Sequence, residues 1–128
     1  GLHTLLDLIT EQNLPYCLAT NSVGVRAREC LSYGGVLELF PRIFSRDLVT
    51  MGKPDPELFN KAAQALNIPI GQCLVLEDSF PGVLGAVRAG AVVGYIPSHG
   101  LDANADRLAT CRLNDLHQVT ELLKVRRR

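Results

Sequence analysis

Net charge is the first thing this sequence lacks. Thirteen Lys and Arg balance thirteen Asp and Glu over 128 residues, so no global field draws the chain to nucleic acid or to an anionic membrane surface. No apolar run approaches the roughly 20 residues that a helix needs to cross a bilayer. The four cysteines, Cys17, Cys30, Cys73 and Cys111, form no C-x-x-C pair and no regular series. No histidine stands at ligand spacing from any of them, which argues against zinc. Cys17 and Cys73 fall inside apolar runs, where a thiol behaves as a small hydrophobe. All four read as reduced, in keeping with a cytoplasmic setting. Aromatics are scarce at 5%, and there is no internal repeat, low-complexity tract or domain linker. What remains is a chain rich in Val, Leu, Ile, Ala and Gly, 47% hydrophobic, the composition of an α/β protein. Its length suits a single domain with a real core, residues 1–128, and is too short for two.

The periodicity alternates from end to end. Leu2, Leu5, Leu6 and Ile9 recur at helical spacing, predicting a helix over 2–12. An apolar run over 14–20, with Pro15 near its start, reads as a buried parallel strand. A helix over 24–32 is ended by Gly34-Gly35, and a helical turn over 36–40 leads to a brief strand at 42–45. Asp55-Pro56-Glu57 is a helix-start signal: Asp55 caps, Pro56 suits the first position and Glu57 faces the positive end of the dipole. That helix runs to about Leu66. A strand over 73–77, a helix over 82–89 stopped by Gly90, a strand over 91–96 and a last helix over 115–125 complete the series. The short basic run Lys124-Val125-Arg126-Arg127-Arg128 reads as a frayed, solvated tail. Strands separated by helices imply parallel pairing with right-handed crossovers, hence a three-layer α/β/α, Rossmann-like sandwich around a mostly parallel sheet.

Three short motifs carry chemistry. Ala19-Thr20-Asn21-Ser22 ends the first strand, Gly52-Lys53-Pro54 occupies the loop before a helix, and Glu77-Asp78-Ser79 ends the most apolar strand. Ligands of open parallel sheets gather beyond the carboxyl ends of the strands, and all three motifs belong to that edge. The Thr20 hydroxyl and the Asn21 amide can donate hydrogen bonds to phosphoryl oxygens, with Ser22 as a further contact. Lys53 can offset the charge of a carboxylate nucleophile and of a transferring group. Glu77 and Asp78 are hard oxygen ligands that suit Mg²⁺ with several retained waters. Plainer roles stand beside these. Asn21 or Ser22 could cap the helix at 24–32, and Asp78 or Ser79 the helix that follows them. Asp55 is assigned to capping first and to orienting Lys53 second. His99 reads as a solvated loop residue.

At these residues the chain resembles the haloacid dehalogenase superfamily, and within it the phosphatase and β-phosphoglucomutase branch that carries an inserted helical cap. The resemblance runs from Gly1 to about Ile96, and the ordered set of motifs is more specific than any one of them. It implies that Thr20 binds the phosphoryl group, that Lys53 is the family's active-site lysine, and that Glu77 and Asp78 bind Mg²⁺. It implies a small phosphorylated metabolite as substrate, selected largely by the cap. The glycines at Gly82 and Gly90 are also typical. One motif has no counterpart. The family's Asp-x-Asp, whose first Asp is the nucleophile and whose second is the general acid/base, is missing, since no two aspartates here are so spaced. The expectation is therefore a partial core domain, the carboxyl-terminal part, without first strand or cap and inactive alone. The start at Gly1, directly into a helix, reads as a processed or truncated product.

In this family the missing strand lies between the strands that carry Thr20 and Glu77. Two apolar strand edges would then face a gap, an aggregation hazard. The two strands could pair directly, another copy could supply a strand in a homo-oligomer, or the missing amino-terminal half could be bound non-covalently; the last two are favoured. Two other functional classes compete with the phosphatase. The first is a non-catalytic binding or oligomerisation module derived from the same core. The second is a receiver-type signalling domain, which the order of motifs disfavours, because such domains place the acidic pair early and the lysine late.

Overall fold

Helices and strands alternate along the computed structural model, which describes residues 1–126. The order is α1 (Leu2–Glu11), β1 (Leu18–Ala19), α2 (Gly24–Tyr33), β2 (Ile43–Phe44), α3 (Glu57–Leu66), β3 (Leu74–Glu77), α4 (Phe80–Ala89), β4 (Val92–Tyr95), α5 (Ala103–Leu108), β5 (Cys111–Arg112) and α6 (Leu116–Arg126). None of these helices is long and apolar enough to cross a membrane. The basic run expected as a tail is helical up to Arg126; its last residues, Arg127 and Arg128, lie outside the described residues.

Local signals place most boundaries. In α3 the buried residues are Leu58, Phe59, Ala62 and Ala63, one face of a helix, and Asn67 ends it in the left-handed conformation at φ 58°. Asp55 accepts the Glu57 N–H at 3.0 Å, which is the expected cap. Ser79 accepts from the Gly82 N–H at the start of α4, and Gly90 closes that helix at φ 93°. For α2 the expected cap is corrected. Neither Asn21 nor Ser22 caps it; the carboxylate of Asp47, beyond β2, accepts the Gly24 N–H at 2.9 Å. The first strand is also shorter than expected. Pro15 has no N–H to give to a ladder, and pairing begins only at Leu18. The segment α5–β5 has no expected counterpart. A helix of six residues and a strand of two are too short to show a period.

All pairing is parallel, in two sheets that part at the expected gap between the strands leading to Thr20 and Glu77. β1 pairs with β2, Leu18 opposite Ile43. Separately, β3, β4 and β5 lie in that order, with Val75 opposite Val93 and Glu77 opposite Tyr95. β1 and β3 do not pair, which removes direct pairing as the way the gap is closed. Between them lies an apolar cavity of about 450 Å³, lined by Leu18 and Ala19 on one side and by Leu74, Val75 and Leu76 on the other.

Helices on both faces hold the sheets together. α3 packs on β1 and β2 and against α4, which packs on β3 and β4. On this face Phe59, Val83, Ala86, Val93, Tyr95 and Ala105 form one core. On the other face α1 packs against α6, and Leu5, Leu113 and Val119 form a second core with Leu76 and Ile96. The split follows the two-residue period of strands: Val75 packs with the first core and Leu76 with the second. All four cysteines are free. Burial, then the neighbouring Cys73, pushes the Cys17 thiol up to about 11, so at neutral pH it behaves as the small hydrophobe its context suggests.

Candidate active site

The carboxyl ends of β1 and β3 and the loop after β2 meet at one place. Thr20 is fixed at the end of β1 by its N–H, which donates to the Phe44 carbonyl at 2.9 Å. Its hydroxyl oxygen accepts the Ser22 N–H at 3.1 Å. The Thr20 hydroxyl hydrogen has no acceptor among the described residues and is free to donate.

The loop that brings Lys53 to this edge is strapped down along its length. Arg46 donates to the carbonyls of Val49 at 3.0 Å and Thr50 at 3.2 Å. Glu57 accepts the N–H groups of Thr50 and Met51, each at 3.1 Å. Those N–H groups, Met51 first, hold the Glu57 carboxyl below its ordinary value. Lys53 itself is gripped by Asn21, whose Oδ1 accepts the Lys53 N–H at 2.8 Å and whose Nδ2 donates to the Lys53 carbonyl at 3.2 Å.

The Lys53 side chain then reaches inward. Its Nζ donates to the Ala19 carbonyl at 3.1 Å and to Glu77 Oε2 at 2.5 Å, and sits 5.2 Å from the centre of the Phe59 ring. Both side chains of the ion pair are 9% exposed. Burial raises the Glu77 carboxyl above its ordinary value; the Lys53 ammonium opposes that shift and the adjacent Asp78 adds to it. Glu77 also lies against the first turn of α4. A Cβ on Gly82 would stand 1.9 Å from Glu77 Oε1 and 2.2 Å from its Cδ, so only glycine leaves room for this carboxylate. We therefore expect Gly82→Ala to push Glu77 off Lys53, visible as the loss of pairing at the Lys53 ammonium in a crystal structure or by NMR. An unchanged Lys53–Glu77 pair in that variant would contradict the packing argument.

Asp78, one residue further, is exposed, and its Oδ2 accepts the Ser98 hydroxyl at 3.0 Å. Thr20, Lys53, Glu77, Asp78 and Ser98 line a second cavity of about 450 Å³. The donors present suit a hard cation, but they are few. Glu77 is committed to Lys53, and no group of three or more His, Cys, Asp or Glu side chains that could hold a metal exists among the described residues. Asp78 is the carboxylate with an oxygen to spare. This set fits Mg²⁺, which keeps several waters, and does not fit an all-protein cage.

Of the residues singled out in the sequence, Thr20, Lys53, Glu77 and Asp78 converge. Asn21 is there too, but its amide is turned to the Lys53 backbone. Ser22 contributes its N–H to Thr20, and its own hydroxyl has no partner among the described residues. His99 is exposed, as expected. The Ala19 carbonyl, Phe59 and Ser98 had no individual signal, and Gly82, typical of the family, had no assigned contact. A carbonyl is invisible in a sequence, Phe59 reads as core, and Ser98 reads as loop; only the placement of that loop beyond β4 hints at the site.

Known proteins resemble this chain in sequence and fold. Validoxylamine A 7'-phosphate phosphatase of Streptomyces hygroscopicus subsp. limoneus is 35% identical over 93% of this chain and 55% of its own. A haloacid dehalogenase family hydrolase of Deinococcus radiodurans R1, whose structure holds phosphate and sodium, is similar over 93% of this chain and 56% of its own, with a TM-score of 0.84 and 28% identity. A beta-phosphoglucomutase of Clostridium difficile shares the fold, with a TM-score of 0.81 and 22% identity over 97% of this chain and 53% of its own. The chain thus spans about half the length of these relatives. The family model for haloacid dehalogenase-like hydrolases matches residues 1–90, a stretch that holds all three motifs and ends with α4, and the chain belongs to that family.

Proposed function

We propose that residues 1–128 form part of the core domain of a Mg²⁺-dependent phosphatase or sugar-phosphate mutase acting on a small phosphorylated metabolite. One observation carries this reading: a lysine ammonium is held between the Ala19 carbonyl at the end of β1 and the Glu77 carboxylate at the end of β3, beside an unspent Thr20 hydroxyl and the outward Asp78. A phosphoryl group entering from solvent meets a hydrogen-bond donor and a fixed positive charge at one edge of parallel strands. Thr20 donates to a phosphoryl oxygen. Lys53, already oriented, offsets the charge that builds on the transferring group without having to reorganise. Asp78, steadied by Ser98, would hold Mg²⁺, with Glu77 beside it as a second donor only through the oxygen not paired to Lys53; bound there, the ion would neutralise charge on the phosphoryl oxygens. Ser22 lies near enough in sequence to give a further contact through its unpartnered hydroxyl.

The nucleophile belongs outside this sequence, which contains no Asp-x-Asp. The apolar cavity between β1 and β3 supports a strand entering there, from another segment of the native polypeptide or from a second copy. Its lining includes Ala19 and Glu77, the two partners of the Lys53 ammonium, which would balance an added carboxylate.

The test is phosphate release from p-nitrophenyl phosphate and a panel of sugar phosphates, by these 128 residues alone and by the intact native protein. We expect no release from the 128 residues, because losing a covalent nucleophile typically costs several orders of magnitude in rate. We expect Mg²⁺-dependent release from the native protein, abolished by EDTA and lowered at least about a hundredfold by Lys53→Met. A native protein that is stabilised by phosphate yet never turns over would replace this reading with the non-catalytic module.

A further inference from the structure

We propose that Asn21 is the positioning residue of Lys53: its amide locks the lysine backbone to the end of β1, so that the ammonium stays in its seat between Ala19 and Glu77. The importance of that seat rests on the reading of Lys53 as a phosphoryl-binding group; the clamp itself does not.

A lysine side chain is a long flexible stem, and its head is placed only if its backbone is placed. The straps on the loop stop short of it. Arg46 holds the carbonyls of residues 49 and 50, Glu57 holds the N–H groups of 50 and 51, and Lys61 donates to the Leu48 carbonyl. The side chain that holds Lys53 itself comes from the other side of the site, 32 residues earlier. Asn21 uses both ends of its amide there, as acceptor for the N–H at 2.8 Å and as donor to the carbonyl at 3.2 Å. The match is polar and directional: a flipped amide would set donor against donor and acceptor against acceptor. Because Asn21 follows Thr20, the clamp also ties the backbone that carries the hydroxyl to the backbone that carries the cation.

Gly52 is an independent sign of the same device. A Cβ at this position would lie 2.7 Å from Asn21 Oδ1 and 2.6 Å from Arg46 Cδ. The residue before the lysine must therefore lack a side chain for the amide to reach the backbone. Asn21 and Gly52 belong to two motifs far apart in sequence, and they explain each other.

The test is NMR on isotopically labelled residues 1–128, reading hydrogen exchange at the Lys53 amide and the ¹H–¹⁵N signal of its Nζ, with Lys53→Met fixing the assignment. Asn21→Ala is expected to speed exchange at the Lys53 amide by roughly two- to tenfold, as loss of its hydrogen bond implies, and to remove the slowly exchanging Nζ signal. Amides of β3 and β4 should stay unchanged, which rules out general loosening. Asn21→Asp keeps the acceptor and loses the donor, so it should retain amide protection while shifting the Lys53 carbonyl resonance. It serves also if Asn21→Ala does not fold. Unchanged Lys53 signals in either folded variant overturn the clamp. A titration with inorganic phosphate separates this from the functional reading: if phosphate leaves wild-type Lys53 unmoved while Asn21→Ala still frees it, the clamp stands and the phosphoryl-binding role falls.

Discussion

Replacing Lys53 by methionine will destabilise these residues by about 3–5 kcal/mol at neutral pH, the usual cost of stranding one partner of a buried ion pair. The pair is nine-tenths out of solvent, so the screening that makes surface salt bridges nearly worthless does not apply. What remains in the variant is a carboxylate pressed against α4 with no cation beside it. The cost will depend on pH in a definite direction. Burial already raises Glu77 above its ordinary value, so the folded chain binds its proton up to a higher pH than the unfolded chain does. A carboxyl raised in this way takes stability away as pH rises through the interval between the two values, and costs nothing below both. Without Lys53 to oppose it, the shift grows and the interval extends toward neutrality. Urea unfolding of wild type and Lys53→Met from about pH 5 to about pH 8 should show a deficit that widens as pH rises. Adding Glu77→Gln to the variant should recover a large part of it. A deficit equal at every pH would mean that Glu77 carries no buried charge, and the account of the site would have to change.

Phe59→Ala should be nearly as costly, about 3–5 kcal/mol, for a reason that joins core and site. Phe59 is 4% exposed and belongs to the core between α3, α4 and β4. Its ring lies over Gly85, where an added Cβ would come within 3.2 Å of it, so neighbouring backbone cannot collapse far into the space it leaves. The same ring lies under the Lys53 ammonium, 5.2 Å from its centre. Phe59→Leu separates the two roles, since leucine restores much of the volume but has no π face. A double-mutant cycle between Phe59→Leu and Lys53→Met should give a coupling of about 0.5–2 kcal/mol, the range for a cation over an aromatic ring in a largely dry site. Zero coupling would reduce Phe59 to packing alone.

Much of this was legible beforehand, for identifiable reasons. Helical periodicity needs nearly three turns to show itself, and α1, α3 and α4, ten residues each, have them. The apolar run of β3 and the glycine that stops α4 are local signals, written in consecutive residues. The Lys53 and Glu77-Asp78 motifs gain meaning from their order along the chain, which topology then converts into proximity. α5 and β5 were missed because six residues and two carry no period. The cap of α2 was misassigned because the capping carboxylate comes from Asp47, 23 residues away, and no local rule reaches that far.

The alternation of helix and strand, the parallel pairing, and the edge at which Thr20, Lys53, Glu77 and Asp78 gather can all be read along the chain. Packing in three dimensions settled that the expected gap is not closed by pairing of β1 with β3 and holds an apolar cavity instead. It alone decided that Asn21 faces the lysine backbone, that Gly82 exists to admit Glu77, and that Phe59 serves both the core and the cation. The physical reason is the same in each case. Period and propensity are properties of neighbours in the chain, whereas a hydrogen bond from a distant loop, or the space left by a missing Cβ, is set by what packs across from it.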